Sequence, residues 1–265
     1  MIITDGVPRH RNIVIKIFDY LWGGFATLSV IFLMVAIWQI GHEYFGSFIL
    51  PSPIESAKKA FEILKNYSNS EINITLQRTI IGIGIACIGG IMAGLIAGYF
   101  KTMSLLLKPI STFLLAMPPI IWVVLALFWF GFGNASTIFT IIVTVIPLTF
   151  ASSMIAMATV DESLKEVFDI YNLSIFKKIK HLYIPHIIPY IISSISIAFG
   201  MGVKIVIMVE LLSSTSGVGS KIADARSMLE MDIVLGYTLL IIVFISLFEY
   251  LVIKPLEILL MPWRR

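Results

Sequence analysis

Four ionisable side chains sit in or beside long apolar runs: Arg78, Lys204, Glu210 and Glu249. At a bilayer centre each would cost roughly 2.5–3.5 kcal/mol on insertion scales, so each is expected to face protein or water. Lys204 and Glu210 are six residues apart, about 240° around a helix, so they do not pair on one helix and their partners are expected elsewhere. Lys204 keeps two readings, a cation on a substrate path or half of a structural ion pair. Arg78 and Glu210 lie near the ends of their runs, where snorkelling to the interface is the expected explanation and a path role the second. Glu249 reads as structural. His181 and His186 are five apart with no carboxylate at ligand spacing, so they read as interfacial or solvated and not as a metal site. The single cysteine, Cys87, excludes an internal disulfide and reads as a small core residue. The chain has no P-loop, nucleophile elbow or HExxH. The chemistry on offer is the handling of charge, not hydrolysis, and any energy has to arrive through a partner.

The elements that must hold these residues are membrane spans. With 58% hydrophobic residues, 13% charged and a mean hydropathy of +0.96, the chain cannot fold as a soluble globule with a charged skin. The fold class is an all-α polytopic membrane protein with about six transmembrane helices, near 20–40, 79–100, 103–130, 136–158, 184–212 and 234–253. A net charge of +3 and the lack of basic runs interleaved with aromatics give no sign of nucleic-acid binding. The first run is too long for a signal-peptide core and has no small-residue cleavage site after it, so it reads as a retained span. Leu50-Pro51-Ser52-Pro53 precedes a helical pattern in which Ile54, Ala57, Phe61 and Leu64 share a face, as in a helix lying along the membrane surface. Gly90, Gly94 and Gly98 line one face of span two and predict close helix packing. Met117-Pro118-Pro119 removes backbone donors and predicts a break or kink within span three, facing protein or a water-filled path. Met117 and Trp122 are then the bulky side chains able to close a constriction. Pro118 and Pro119 at the break, with Lys204, Met208 and Glu210 on span five, complete the candidate translocation path and gate.

The one long polar island in the second half runs over 159–189. Leu164, Val167, Phe168 and Tyr171 fall on one helical face and Glu162, Lys165, Glu166 and Asp169 on the other. Thr159 with Glu162 fits a capping box, Asn172 suits a left-handed stop, and Ser174 suits the cap of a second helix that runs until Pro185 opens the next apolar run. Two short helices meeting at a turn make a shaped knob. Lysines and arginines number 12 on the side holding the N-terminus, 100–108, the island and the C-terminal tail, against 5 on the other. The positive-inside rule therefore predicts that both termini and the island are cytoplasmic.

The island also resembles the cytoplasmic loop of permease subunits of bacterial ABC importers, whose Glu-Ala-Ala, Gly and Ile-x-Leu-Pro positions read here Glu166-Val167-Phe168, Asn172 and Leu182-Tyr183-Ile184-Pro185. The spacing is kept, although both alanines and the glycine are replaced. Leu50-Pro51-Ser52-Pro53, Thr75-Leu76-Gln77-Arg78, Met117-Pro118-Pro119, Trp129-Phe130-Gly131-Phe132-Gly133, and Glu210 followed by Gly217-Val218-Gly219 look like the nitrate, sulfonate and taurine branch of that family, in its order and spacing. The resemblance implies a single permease domain over 1–265, with a family-like core at about 50–255 and a coupling loop at 159–183. It implies a type I importer permease in the bacterial inner membrane, working as a homodimer with two cytoplasmic ATPases and an extracytoplasmic substrate-binding protein. It also makes Glu162, Lys165, Glu166, Asp169, Asn172 and Ser174 the ATPase-coupling residues, and a small anion the solute. ATP and magnesium would bind the partner ATPases, leaving this chain with no cofactor. An ATPase-independent secondary transporter would instead need an internal repeat and paired membrane carboxylates or broken helices in both halves. An intramembrane enzyme would need a nucleophile with its base, or a metal set.

Overall fold

The computed structural model describes residues 13–67, 70–213 and 216–261, with side chains from Leu28 onward. Arg9, Arg11 and Lys16 of the basic count and the Trp263-Arg264-Arg265 end lie outside the residues, or the side chains, so described. The described elements are helices: α1 (Ile13–Phe45), α2 (Pro53–Lys65), α3 (Ile72–Tyr99), α4 (Lys101–Ala116), α5 (Pro119–Phe130), α6 (Asn134–Ala158), α7 (Glu162–Ile170), α8 (Ile175–Lys178), α9 (Ile184–Ser213), α10 (Val218–Ser227), α11 (Met231–Phe248) and α12 (Lys254–Leu260). Five helical stretches are long and apolar enough to cross a membrane, or up to six if the bent pair α4–α5 counts as one span.

The centre is the pairing of α3 with α6, and glycine makes it close. A Cβ on Gly90 or Gly94 would collide with Thr149 and the Phe150 carbonyl, and one on Gly98 would lie 2.6 Å from the Met154 carbonyl. Small residues at successive turns let the two backbones approach, and Thr149 Oγ1 donates across the gap to the Ala86 carbonyl at 3.2 Å. Ile83, Val123, Ile141, Val145, Val206 and Val209 extend this core to α5 and α9.

At the double proline the chain breaks and does not merely kink. Met117 and Pro118 are both extended, at φ −79° ψ 128° and φ −57° ψ 135°, because a following proline excludes the helical region. Pro119 then opens α5 at its first position, where its missing N–H costs nothing. The axes of α4 and α5 differ by 95°.

Two other prolines, Pro185 and Pro255, leave their helices continuous. Instead of ending at Pro185, the island's second helix continues into span five as one stretch, Ile175–Ser213. A wide turn of π-helix, Ile179–Tyr183, precedes the proline, and another, Glu249–Ile253, precedes Pro255 and carries α11 into α12. Widening the turn gives room for a ring that would otherwise strike the carbonyl four residues earlier.

Helix α2 opens with a reciprocal cap. Ser52 Oγ accepts from the Glu55 N–H at 3.2 Å and the Glu55 carboxylate accepts from the Ser52 N–H at 3.0 Å, and these bonds hold Glu55 below the usual carboxylate range. The buried Ser56 and Ala60 face α11, where Gly236 leaves room for the Ala60 backbone, and Lys59 pairs with Asp232 at 3.4 Å. Of the expected stripe, Ile54, Ala57 and Phe61 point away, exposed, whereas the half-exposed Leu64 turns toward α3 and α11.

Candidate functional site

The knob is built locally. Its first helix is capped by Asp161, which overturns the Thr159–Glu162 capping box: Asp161 Oδ1 accepts from the Ser163 N–H at 2.9 Å and from its hydroxyl at 2.5 Å. Those bonds hold the Asp161 carboxyl below its ordinary range. Thr159 is instead spent on closing α6, donating to the Ile155 carbonyl at 2.8 Å. At the other end Asn172 takes the left-handed conformation, φ +46°. The Asn172 N–H reaches the Asp169 carbonyl and the Leu173 N–H the Phe168 carbonyl, the paired bonds of a Schellman stop. Ser174 stands at the cap position of α8, but its backbone carbonyl, not its side chain, accepts from Lys177 and Lys178. An ion pair from Lys178 to Asp169 ties the two helices together.

No residue of α7 is buried. Glu162 and Glu166 are exposed, Lys165 reaches Glu162 at 4.0 Å, and on the other face Leu164 is 47%, Val167 45% and Tyr171 74% exposed. Locally fixed shape with an uncovered apolar face is what a docking element requires.

The candidate path residues fall into two groups. Met117 is half-buried, Pro118 exposed and Pro119 half-buried at the break, while Lys204 is exposed on α9 and makes no ion pair or hydrogen bond among the described residues. Trp122, Met208 and Glu210 are turned inward. Trp122 is buried with its indole N–H unpartnered, so it is not presented at the open side of the break as expected. Met208 packs on the central core.

Arg78 and Glu210 do not snorkel. They pair with each other at 2.8 Å, both almost fully buried. The Glu210 carboxylate also accepts from the Thr75 hydroxyl at 2.8 Å and the Gly219 N–H at 3.1 Å. Arg78 donates from Nε to the Asn134 side chain at 2.7 Å and from its other nitrogens to the Ser216 carbonyl and hydroxyl at 2.8 and 2.7 Å. The Val218 N–H donates to Thr75 Oγ1 at 2.8 Å. A buried pair is tolerable only when its remaining lone pairs and protons are satisfied, and here neighbouring groups supply that. Gly217 has φ +104°, and a Cβ there would strike the Glu210 carboxylate. The cluster therefore joins the start of α3, the end of α9, the start of α6 and the start of α10. The sequence signal for it lay in the Thr75–Arg78 and Gly217–Gly219 motifs, each singled out but not joined to the other.

Glu249 accepts from Ser196 at 2.5 Å, as a structural residue would. His186 meets Thr159 at 3.2 Å, and no group of three potential ligands is placed to hold a metal among the described residues.

Residues 90–252 match the family described as Binding-protein-dependent transport system inner membrane component. Among curated relatives, the chain is 28% identical to the nitrate import permease protein NrtB of Synechococcus elongatus over 73% of each chain. It is 27% identical to the putative aliphatic sulfonates transport permease protein SsuC of Bacillus subtilis, over 88% of this chain and 85% of the relative. To the taurine transport system permease protein TauC of Escherichia coli it is 24% identical, over 97% and 92%.

Proposed function

The chain belongs to the family of binding-protein-dependent transport system inner membrane components, and from that premise we propose how its parts work. As a member, it is a multi-pass inner-membrane permease subunit of an ABC importer, a transport subunit and not itself a catalyst. Two copies assemble around a shared path, with two ATPases on the cytoplasmic face and a substrate-binding protein on the other. The termini and the knob lie in the cytoplasm. ATP and magnesium bind the ATPases.

In this reading α7 docks in a cleft of the ATPase, its apolar face of Leu164, Val167 and Tyr171 covered there, with Glu162, Lys165, Glu166 and Asp169 at the rim and Asn172 and Ser174 fixing the turn. The observation that carries it is α7 itself, held in shape at both ends yet with nothing buried along it. Nucleotide-driven closure then moves the knob, and the unbroken helix Ile175–Ser213 carries the displacement into the membrane. The partner must bind the two nucleotide states differently for such coupling to exist.

The path runs past the α4–α5 break and the open face of α9, where Lys204 lies nine residues, about 14 Å, from the end of α9 at Ser213. Facing lipid at that depth would cost roughly 2.5–3.5 kcal/mol, which favours a water-filled path between copies. Its solute is a small anion such as nitrate or an organic sulfonate, as the names of the relatives suggest.

Glu166→Lys tests the docking. It should leave the protein inserted and folded while lowering ATPase association or transport-linked ATP hydrolysis. Unchanged association together with unchanged uptake removes the knob from the coupling role.

A further inference from the structure

Between α2, α3, α9 and α11 the protein leaves an apolar crevice of about 220 Å³. Leu64, Val243, Phe244 and Leu247 form its mouth and are all partly exposed. Three hydroxyl side chains line it, and each has already given its proton away. Thr75 donates to Glu210 at 2.8 Å, Thr79 to the Thr75 carbonyl at 2.7 Å, and Tyr237 to the Ser70 carbonyl at 3.3 Å. No side-chain donor is left for an anion or a polar solute, whose desolvation would go uncompensated. The crevice is therefore no second solute site, and its lining suits hydrocarbon.

Its dimensions suit one slender chain. Tyr237 to Leu247 is ten residues of α11, about 15 Å, which is half of a hydrocarbon core about 30 Å thick and so the depth of one leaflet. The volume falls below the roughly 300 Å³ at which pockets begin to accept drug-sized ligands. The mouth opens along α11, part of a membrane span. At the other end lies the last turn of α2, where Lys65 is exposed and has no acidic partner among the described residues. We propose that the crevice holds one acyl chain of a membrane phospholipid, with the headgroup beside Lys65. Thr75 belongs both to the crevice wall and to the hydrogen bonds of Glu210, so this chain backs directly onto the buried ion cluster.

The test uses the full transporter in nanodiscs that contain a phospholipid with a photoactivatable diazirine on one acyl chain. After irradiation, peptide mass spectrometry should find adducts at Leu64 and over 237–247 at several-fold the density at Phe32 and Leu33 of α1 or Ile88 of α3, apolar positions that are more exposed than the crevice mouth and would win if exposure alone decided labelling. Val243→Trp and Leu247→Trp, at half-exposed sites where a larger ring has room, should each block the mouth and reduce those adducts several-fold. Lys65→Gln should lower the share of anionic phospholipid among them. Adducts on α11 no denser than on α1, or unchanged in both tryptophan variants, mean ordinary boundary lipid and overturn the proposal. So does protection of the crevice by the binding protein or by a second copy in place of lipid.

Discussion

The two ends of the 39-residue helix Ile175–Ser213 solve opposite problems. At the first end lies the knob, exposed, with its shape held by bonds between near neighbours in sequence: Asp161 to Ser163, Asn172 to Asp169, Lys178 to Asp169. At the other end Glu210 is 0% exposed and bound to Thr75 and Arg78, more than 130 residues away. Strength in the knob is local and screened by water, while strength in the cluster is long-range and desolvated. An element that must fit a moving partner is served by the first arrangement, and an anchor against which a lever works by the second.

Breaking the cluster should therefore cost most. Arg78→Ala or Glu210→Ala strands a buried charge, an expected loss of about 3–5 kcal/mol that thermal unfolding of the purified protein would report. Because the two share one network, the double variant should lose less than the sum; strictly additive losses would mean that the pair is not coupled. Gly217→Ala comes next, at about 1–3 kcal/mol, because an alanine at φ +104° is strained and its Cβ meets Glu210. In the knob the effects shrink. Asn172→Ala should cost about 1 kcal/mol, and Asn172→Gly nothing or slightly less than nothing, since glycine accepts φ +46° freely. A loss in the glycine variant as large as in the alanine variant would show that the Asn side chain, and not the backbone, matters.

The smallest effect is a pH dependence. Asp161 has its carboxyl lowered by the Ser163 bonds, so its cap contributes fully above the ordinary aspartate value of about 3.9 and is lost only as pH falls through the lower folded value. The protection factor of the Ser163 amide, its exchange rate relative to the intrinsic rate at the same pH, should fall below that range with the global melting temperature unmoved. A protection factor that falls as pH rises would contradict the sign.

The same contrast explains what the sequence made legible. Spans, the glycine face of α3, the helical face after Leu50-Pro51-Ser52-Pro53, the break at Met117-Pro118-Pro119 and the left-handed Asn172 all follow from residues within a turn or two of one another. The angle of the break, 95°, did not, because two prolines require extended residues between the helices but leave open which way α5 then turns to pack. Nor did the continuity through Pro185, since a wide turn hides the ring. The Arg78–Glu210 pair was invisible because each member, read alone, has the cheaper option of snorkelling; beside the Thr75–Arg78 motif, the glycines at 217 and 219 are where a backbone comes close to a charge. Trp122 looked like a gate by size and place on the span, whereas the side of α5 that turns inward depends on α6.

Contact between α7 and the ATPase can be captured directly. With Cys87→Ala removing the one native thiol, a Glu166→Cys variant of the assembled transporter should cross-link to the ATPase with a short bifunctional thiol reagent. The yield should change with nucleotide, and the site should resist membrane-impermeant thiol reagents in intact cells, whereas Glu62→Cys is labelled. Labelling of Glu166→Cys in intact cells, or cross-linking to the substrate-binding protein in place of the ATPase, would contradict it.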